Sequence, residues 1–257
     1  MNSDDSAQGY SYNSLFYQYQ REGSARSANA LLPAIIRALG PTSVLDVGCG
    51  AGAWLKAYEH LGVKDVIGVD GDYVDRKLLL IDPDHFRPTD ISKPFDLGRT
   101  FDIAQCLEVA EHVPTSASST LVDNITRHSR FVLFSAAVPG QGGEDHINEQ
   151  PYAFWRDLFV ARGFTLFDFI RPHVQNMPDV EPWYRSNVLF FAHREVIDRL
   201  LPEIAACRVG DNAPIRDYSG LGYRVRKAIM RNLPPGVVTR LAKWKHEFFV
   251  RTSMRDH

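Results

Sequence analysis

Residues 44–52 read VLDVGCGAG: an apolar run, an acid at Asp46, then glycines at 48, 50 and 52. The β-branched and aliphatic residues of SVLDV (43–47) predict a buried strand. Glycine lets the chain turn sharply and lets a ligand approach the backbone. A glycine loop that leaves a strand and opens a helix lies where open α/β sheets bind their ligands. GAWLKAYEHL (52–61) supplies that helix, with Gly62 as its stop.

Working outward, strands and helices alternate. DVIGVD (65–70), HFRPTD (85–90), FDIAQCL (101–107) and FVLFSAAV (131–138) read as the second to fifth strands. A helix is expected near 116–128 and another over 149–163. FTLFDFI (164–170) and NVLFFAH (187–193) read as two more strands, joined by a loop and able to pair as a hairpin. Ahead of the first strand, Ala28, Leu31, Leu32, Ile35, Ile36 and Leu39 share one helical face, with a kink or a start expected at Pro33. The pattern predicts a doubly wound, mostly parallel seven-stranded α/β sheet with an antiparallel last strand. The expected organisation is an N-terminal lid or tail (1–24), a ligand-binding domain (25–200) and a basic helical C-terminal appendage (201–257).

Composition bounds the rest. The chain has 257 residues, 44% hydrophobic and 23% charged, enough for one large domain with an appendage. No apolar run reaches the ~18 residues of a membrane span, and the polar start does not read as a signal peptide. Cys49, Cys106 and Cys207 fit neither a zinc site nor a redox pair. A cytoplasmic protein is expected. The net charge of −2 conceals an asymmetry: residues 208–257 carry eleven basic and four acidic side chains, the remainder eighteen and twenty-seven. The acidic body matches a nucleic-acid backbone poorly, so no nucleic-acid partner is expected. The basic segment, with Leu221, Val225, Ile229 and Leu233 four apart and Trp244, Phe248 and Phe249 beyond, suits peripheral contact with an anionic membrane or a protein.

Gly48, Gly50 and Ala53 also satisfy a loose dinucleotide pattern, so a nicotinamide-dependent oxidoreductase is a rival reading. Asp46 weighs against it, because a carboxylate ahead of the glycines repels phosphates yet accepts from an ammonium. Asp70, at the end of the second strand, suits a ribose, and Asp90, at the end of the third, an adenine amino group. The runs VLDVGCGAG, GVD (68–70), TDI (89–91) and FDIAQCLEVAEHVP (101–114) resemble the class I S-adenosylmethionine-dependent methyltransferases over roughly residues 25–195. The resemblance implies S-adenosylmethionine as cofactor, held by Asp46, Gly48, Cys49, Gly50, Gly52, Asp70, Gly71, Asp90, Ile91, Leu107 and Glu108. A methyltransferase fold serving only as a binding module is a further alternative.

The segment at 106–112 looks like the EVLEH stretch of small-molecule methyltransferases, and the Asn/Asp-Pro-Pro-Tyr signature of amino-group methylation is missing. The loop SAAVPGQGGEDHINEQPYAFW (135–155) is similar to that of bacterial enzymes acting on sugars. His146 is the candidate general base, with Glu144 and Asp145 to orient it, and His112 a second catalytic candidate. A divalent ion held by these groups is the runner-up role, but no metal is assigned. Trp183, Tyr184 and Arg185 are expected to meet the acceptor, a small molecule or glycan methylated on an oxygen, with nitrogen the alternative.

Overall fold

The computed structural model describes residues 5–233 and 237, with side chains from residue 22 onward. Seven strands form one sheet in the order β3-β2-β1-β4-β5-β7-β6. These are β1 (Ser43–Val47), β2 (Asp65–Asp70), β3 (Phe86–Pro88), β4 (Ile103–Leu107), β5 (Phe131–Ser135), β6 (Phe164–Phe167) and β7 (Leu189–His193). The first five are parallel; β7 runs antiparallel to both β5 and β6. The expected seven-stranded sheet is present. The third strand is only three residues long, because Pro88 removes a ladder donor and leaves it on the sheet edge.

The helices are α1 (Asp5–Leu39), α2 (Ala53–His60), α3 (Ser118–His128), α4 (Tyr152–Val160), α5 (Ile170–Val174), α6 (Pro182–Asn187), α7 (Pro202–Ala205) and α8 (Leu221–Met230). Apolar residues cover both faces of the sheet. Leu31, Leu32, Ile35, Leu55 and Tyr58 pack on one face, and Leu121, Ile125, Trp155 and Phe159 on the other. The residues of β1 and β4 are buried throughout, which explains why both read as unbroken apolar runs.

Three expectations change. Pro33 does not start α1 but lies inside it; the carbonyl it orphans belongs to Asn29, which is exposed and so solvated. The boundary expected after residue 24 therefore falls inside a helix. The link between β6 and β7 is not a plain loop but carries α5 and α6. The side chains of residues 1–21, in the segment expected as a lid or tail, lie outside the described residues, as do Trp244, Phe248 and Phe249.

The C-terminal helix α8 is oriented against its apolar pattern. Leu221, Val225 and Ile229 are 77%, 52% and 59% exposed, whereas Lys227 is buried. The Lys227 ammonium donates to Asp217 (2.8 Å) and Ser219 (3.0 Å), and Arg226 donates to the carbonyl of Gln141 (3.0 Å). The helix thus docks through its charged side onto the loop after β5. Among the described residues, no helix is long and apolar enough to cross a membrane.

Candidate active site

The carboxyl ends of β1, β2, β4 and β5 share one edge of the sheet, set by the parallel register Asp46↔Gly68, Asp46↔Gln105 and Leu107↔Ser135. The loop after β1 is anchored where the Gly48 and Cys49 amides both donate to the carbonyl of Val69, at 2.8 and 3.2 Å. Gly48 has φ +83°, and a Cβ there would stand 2.5 Å from Val109. Glycine is therefore required twice over, by dihedral and by contact. Gly50, at φ +52°, faces open space: a Cβ on it would meet nothing within 4 Å. Gly52, at φ +82°, is the N-cap of α2. Cys49 is buried with its sulfur against Gly68.

Three acids were expected around this loop. Asp46 is 3% exposed. Burial, reinforced by the Asp70 carboxylate, lifts its carboxyl to about 7. A cation placed beside it would restore the charged form. Asp70 binds the loop itself: Oδ2 accepts from the Gly50 amide (2.7 Å), and Oδ1 from the Gly71 amide (2.7 Å) and the Tyr73 hydroxyl (2.6 Å). Tyr73 is 81% exposed, so it lies over Asp70 from the solvent side. Asp90 is occupied locally. Its Oδ1 accepts from Ser92 N and Oγ, its Oδ2 pairs with Lys93 at 2.9 Å, and these hydrogen bonds hold its carboxyl down at about 2. Ile91 packs against the core beside it, and Leu107 is buried at the end of β4.

Glu108 follows β4 with φ +55°, a left-handed conformation that a non-glycine residue adopts only under constraint. The constraint is visible. Its amide donates to the Ser135 hydroxyl and carbonyl, both at 3.0 Å. Its Oε1 accepts from Asn187 Nδ2 (3.0 Å) and its Oε2 from Gln141 Nε2 (2.9 Å). Asn187 also donates to Gln141 Oε1 and accepts from the Tyr152 hydroxyl, which fixes which way its amide points. Burial holds the Glu108 carboxyl above its ordinary range against the pull of those two amides.

Beyond Glu108 the loop after β5 folds back onto the end of β4: the amides of Ile147 and Asn148 both donate to the carbonyl of Glu111, at 2.9 and 3.0 Å. This brings His112 and His146 together, ring centroids 4.9 Å apart and nearly perpendicular. His112 Nδ1 lies 3.2 Å from the carbonyl oxygen of Asp145. His146 Nδ1 lies 2.9 Å from Oε1 of Glu149. Burial, and then the charge of His146, pushes the His112 pKa down. Burial alone would raise the Glu149 carboxyl, but hydrogen bonds from His146 and the Gly140 and Gly142 amides carry it below its ordinary range. Glu111 is 1% exposed, its pKa raised well up by burial and then by the charge of Glu108.

Several assignments are corrected. The acid that orients His146 is Glu149, three residues on, and not its neighbour Asp145. The Asp145 side chain is exposed and φ is +55°; its contribution is the carbonyl that meets His112. Tyr184 is not a face for an acceptor ring: it is 5% exposed, its hydroxyl held between Ser24 (3.1 Å) and Trp54 Nε1 (3.3 Å). Trp183 packs partly buried on the same core cluster, and Arg185 is half-buried on α6. The large aromatics there answer the demand of the core beneath α1 and α2. Glu111, Gln141, Glu149 and Asn187 were not singled out from sequence. Only Glu149 had a readable signal, its spacing of three from His146.

A glycine cradle open over Gly50, a buried carboxylate that a cation would recharge, and a second acid beside the loop together fit S-adenosylmethionine, whose methionine part carries an ammonium and whose nucleoside part carries no phosphate. The family model described as a methyltransferase domain matches residues 17–168, and the chain belongs to that family. It is an S-adenosylmethionine-dependent methyltransferase. Solved structures share the fold at low identity. Streptomyces venezuelae DesVI is 17% identical, with 75% of this chain and 99% of that one covered and a TM-score of 0.54. The sugar N-methyltransferase KedS8 from Streptoalloteichus is 19% identical, covering 71% and 92% at 0.54. Magnesium protoporphyrin IX methyltransferase from Synechocystis with bound SAH is 18% identical, covering 72% and 94% at 0.51. No curated protein matches the chain in sequence.

Proposed function

We propose that the enzyme transfers a methyl group to an oxygen of a small molecule, a hydroxyl of a sugar or of a glycosylated metabolite. One observation carries this reading: the paired imidazoles of His112 and His146, with Glu111 beneath them, stand next to Glu108 at the edge of the cofactor cleft. A deprotonated amine attacks through its free lone pair, whereas even a neutral hydroxyl is a weak nucleophile until its proton begins to leave. A cluster of two imidazoles and a carboxylate, which can draw off that proton as a base or through a bound cation, suits the second case.

The bound cofactor supplies an electrophilic methyl on a sulfonium. The chain supplies position. Asp46 would neutralise the ammonium, Asp70 would face the ribose, and Glu108, fixed by Asn187 and Gln141, would border cofactor and acceptor. In-line displacement gains most from such placement. The loop from Gly140 to Glu149 borders the acceptor side, its turn held by the two glycine amides on Glu149. Support for a sugar comes from the likeness of this loop to those of sugar-methylating enzymes. KedS8, a sugar N-methyltransferase, supplies the alternative acceptor atom.

The experiment is transfer of radiolabelled methyl from S-adenosylmethionine to matched panels of nucleotide-linked sugars with and without an amino group. Label on the amine-free sugars is expected. Label confined to the amino sugars would move the reading to nitrogen.

A further inference from the structure

We propose that Glu111, His112 and His146 bind one divalent transition-metal ion at the acceptor side of the cleft. One carboxylate oxygen and a ring nitrogen from each histidine lie within 4.8 Å of one another. Donors bonded to a common ion stand ~3–4 Å apart, within reach of small side-chain rotations from that spread.

Two independent observations support a cation. The first is the carboxylate. Glu111 is 1% exposed, and its Oε2 is buried with no hydrogen-bond partner, although buried oxygens are nearly always satisfied. The second is the far side of each ring. His112 faces a carbonyl through Nδ1, and His146 faces a carboxylate through Nδ1. With an oxygen acceptor at each Nδ1, the ring hydrogen sits there and the lone pair falls on Nε2. Metal-binding histidines have this second partner as a rule, because it fixes the tautomer and raises the basicity of the ligating nitrogen. A Cβ at Gly143 would stand 2.2 Å from Nε2 of His146, so glycine is what admits the ring.

Two imidazoles and one carboxylate select a first-row transition ion over magnesium or calcium, which prefer oxygen. His112 is exposed and Glu111 buried, so the site opens to solvent on one side, leaving coordination positions for the acceptor. Glu108 has both carboxylate oxygens occupied by amides and borders the site without being one of the three ligands.

The ion's role rests on the acceptor reading above; its binding does not. Bound to the ion, an acceptor hydroxyl loses its proton to water near neutral pH. The oxygen then forms a bond to the methyl carbon as the carbon–sulfur bond breaks. The electron pair of that bond stays on sulfur, which leaves as a neutral thioether. His146 holds the ion and does not itself take the proton.

The test is titration of chelator-treated, full-length enzyme with Co²⁺, read by visible absorption and by thermal melting. One equivalent should give d–d bands and raise the melting temperature. His112→Gln and His146→Gln, each checked by circular dichroism, should lose both signals. Asp70→Ala should keep the bands while losing cofactor affinity, which separates the two sites. No bands in the wild type, or bands unchanged in both histidine variants, overturns the site. Cobalt binding with methyl transfer confined to amines would sink the acceptor reading and leave the metal site standing.

Discussion

Asp46 makes the affinity for the cofactor depend on pH in a calculable way. Its carboxyl titrates at about 7 in the free enzyme, raised from 3.8 by burial and by Asp70. At one pKa unit per 1.36 kcal/mol, holding it ionised in the free protein costs about 4 kcal/mol relative to the unfolded chain. The sign follows from proton counts. Between pH ~4 and ~7 the folded state holds a proton that the unfolded state has released, so stability falls as pH rises through that window and levels above it. The ammonium of S-adenosylmethionine reverses the preference by pairing with the carboxylate. Binding below pH 7 therefore expels the proton, and the dissociation constant should fall about tenfold per pH unit from 5.5 to 7, then flatten. Isothermal titration in two buffers of different ionisation enthalpy should find about one proton released at pH 6. Asp46→Asn should abolish the slope and the proton release, and its free form should melt no lower than wild type at pH 8. A wild-type dissociation constant that is flat from pH 5.5 to 7, with no proton released, refutes the pairing of Asp46 with the ammonium.

Two other expectations are simpler. Gly48→Ala should destabilise the protein by about 2–4 kcal/mol, the sum of a left-handed alanine and an overpacked contact with Val109; an unchanged urea midpoint would show that the loop relaxes freely. The exposed line Leu221, Val225 and Ile229, flanked by Arg224 and Arg231, should carry the enzyme into the pellet with anionic vesicles at low salt, and Val225→Asp with Ile229→Asp should return it to the supernatant. A wild-type protein that stays in the supernatant ends the membrane reading.

The fold was legible because its signals are local and redundant. Buried parallel strands read as apolar runs, and each ended in a residue type that a ligand-binding edge uses: Asp46, Asp70, Glu108. The glycine loop was legible for the same reason, since positive φ at 48, 50 and 52 admits little else. The acceptor side was legible only in part. His112 and His146 stand 34 positions apart, and nothing in either neighbourhood announces that Ile147 and Asn148 bind back to Glu111. Asn148 is buried and bridges Ala110 and Ser118, four residues before α4 begins, and nothing in its sequence neighbourhood marks that role. Tyr184 misled because amphipathic aromatics serve cores and ligands alike. The four-residue apolar spacing of α8 named a face without saying whether it meets the body of the protein; in the structure Lys227 and Asp217 dock the opposite side and leave that face exposed.

Glu108 has a consequence for how this enzyme tolerates improvement. At φ +55° a glycine would relieve the backbone of about 1–2 kcal/mol. That exchange would strip the amides of Asn187 and Gln141 of their acceptor and empty the border between the two halves of the cleft. Each buried amide left without an acceptor costs about 1–3 kcal/mol, so the exchange loses more than the dihedral returns. Variants selected for heat resistance should therefore keep Glu108, and their gains should come from positions outside this network.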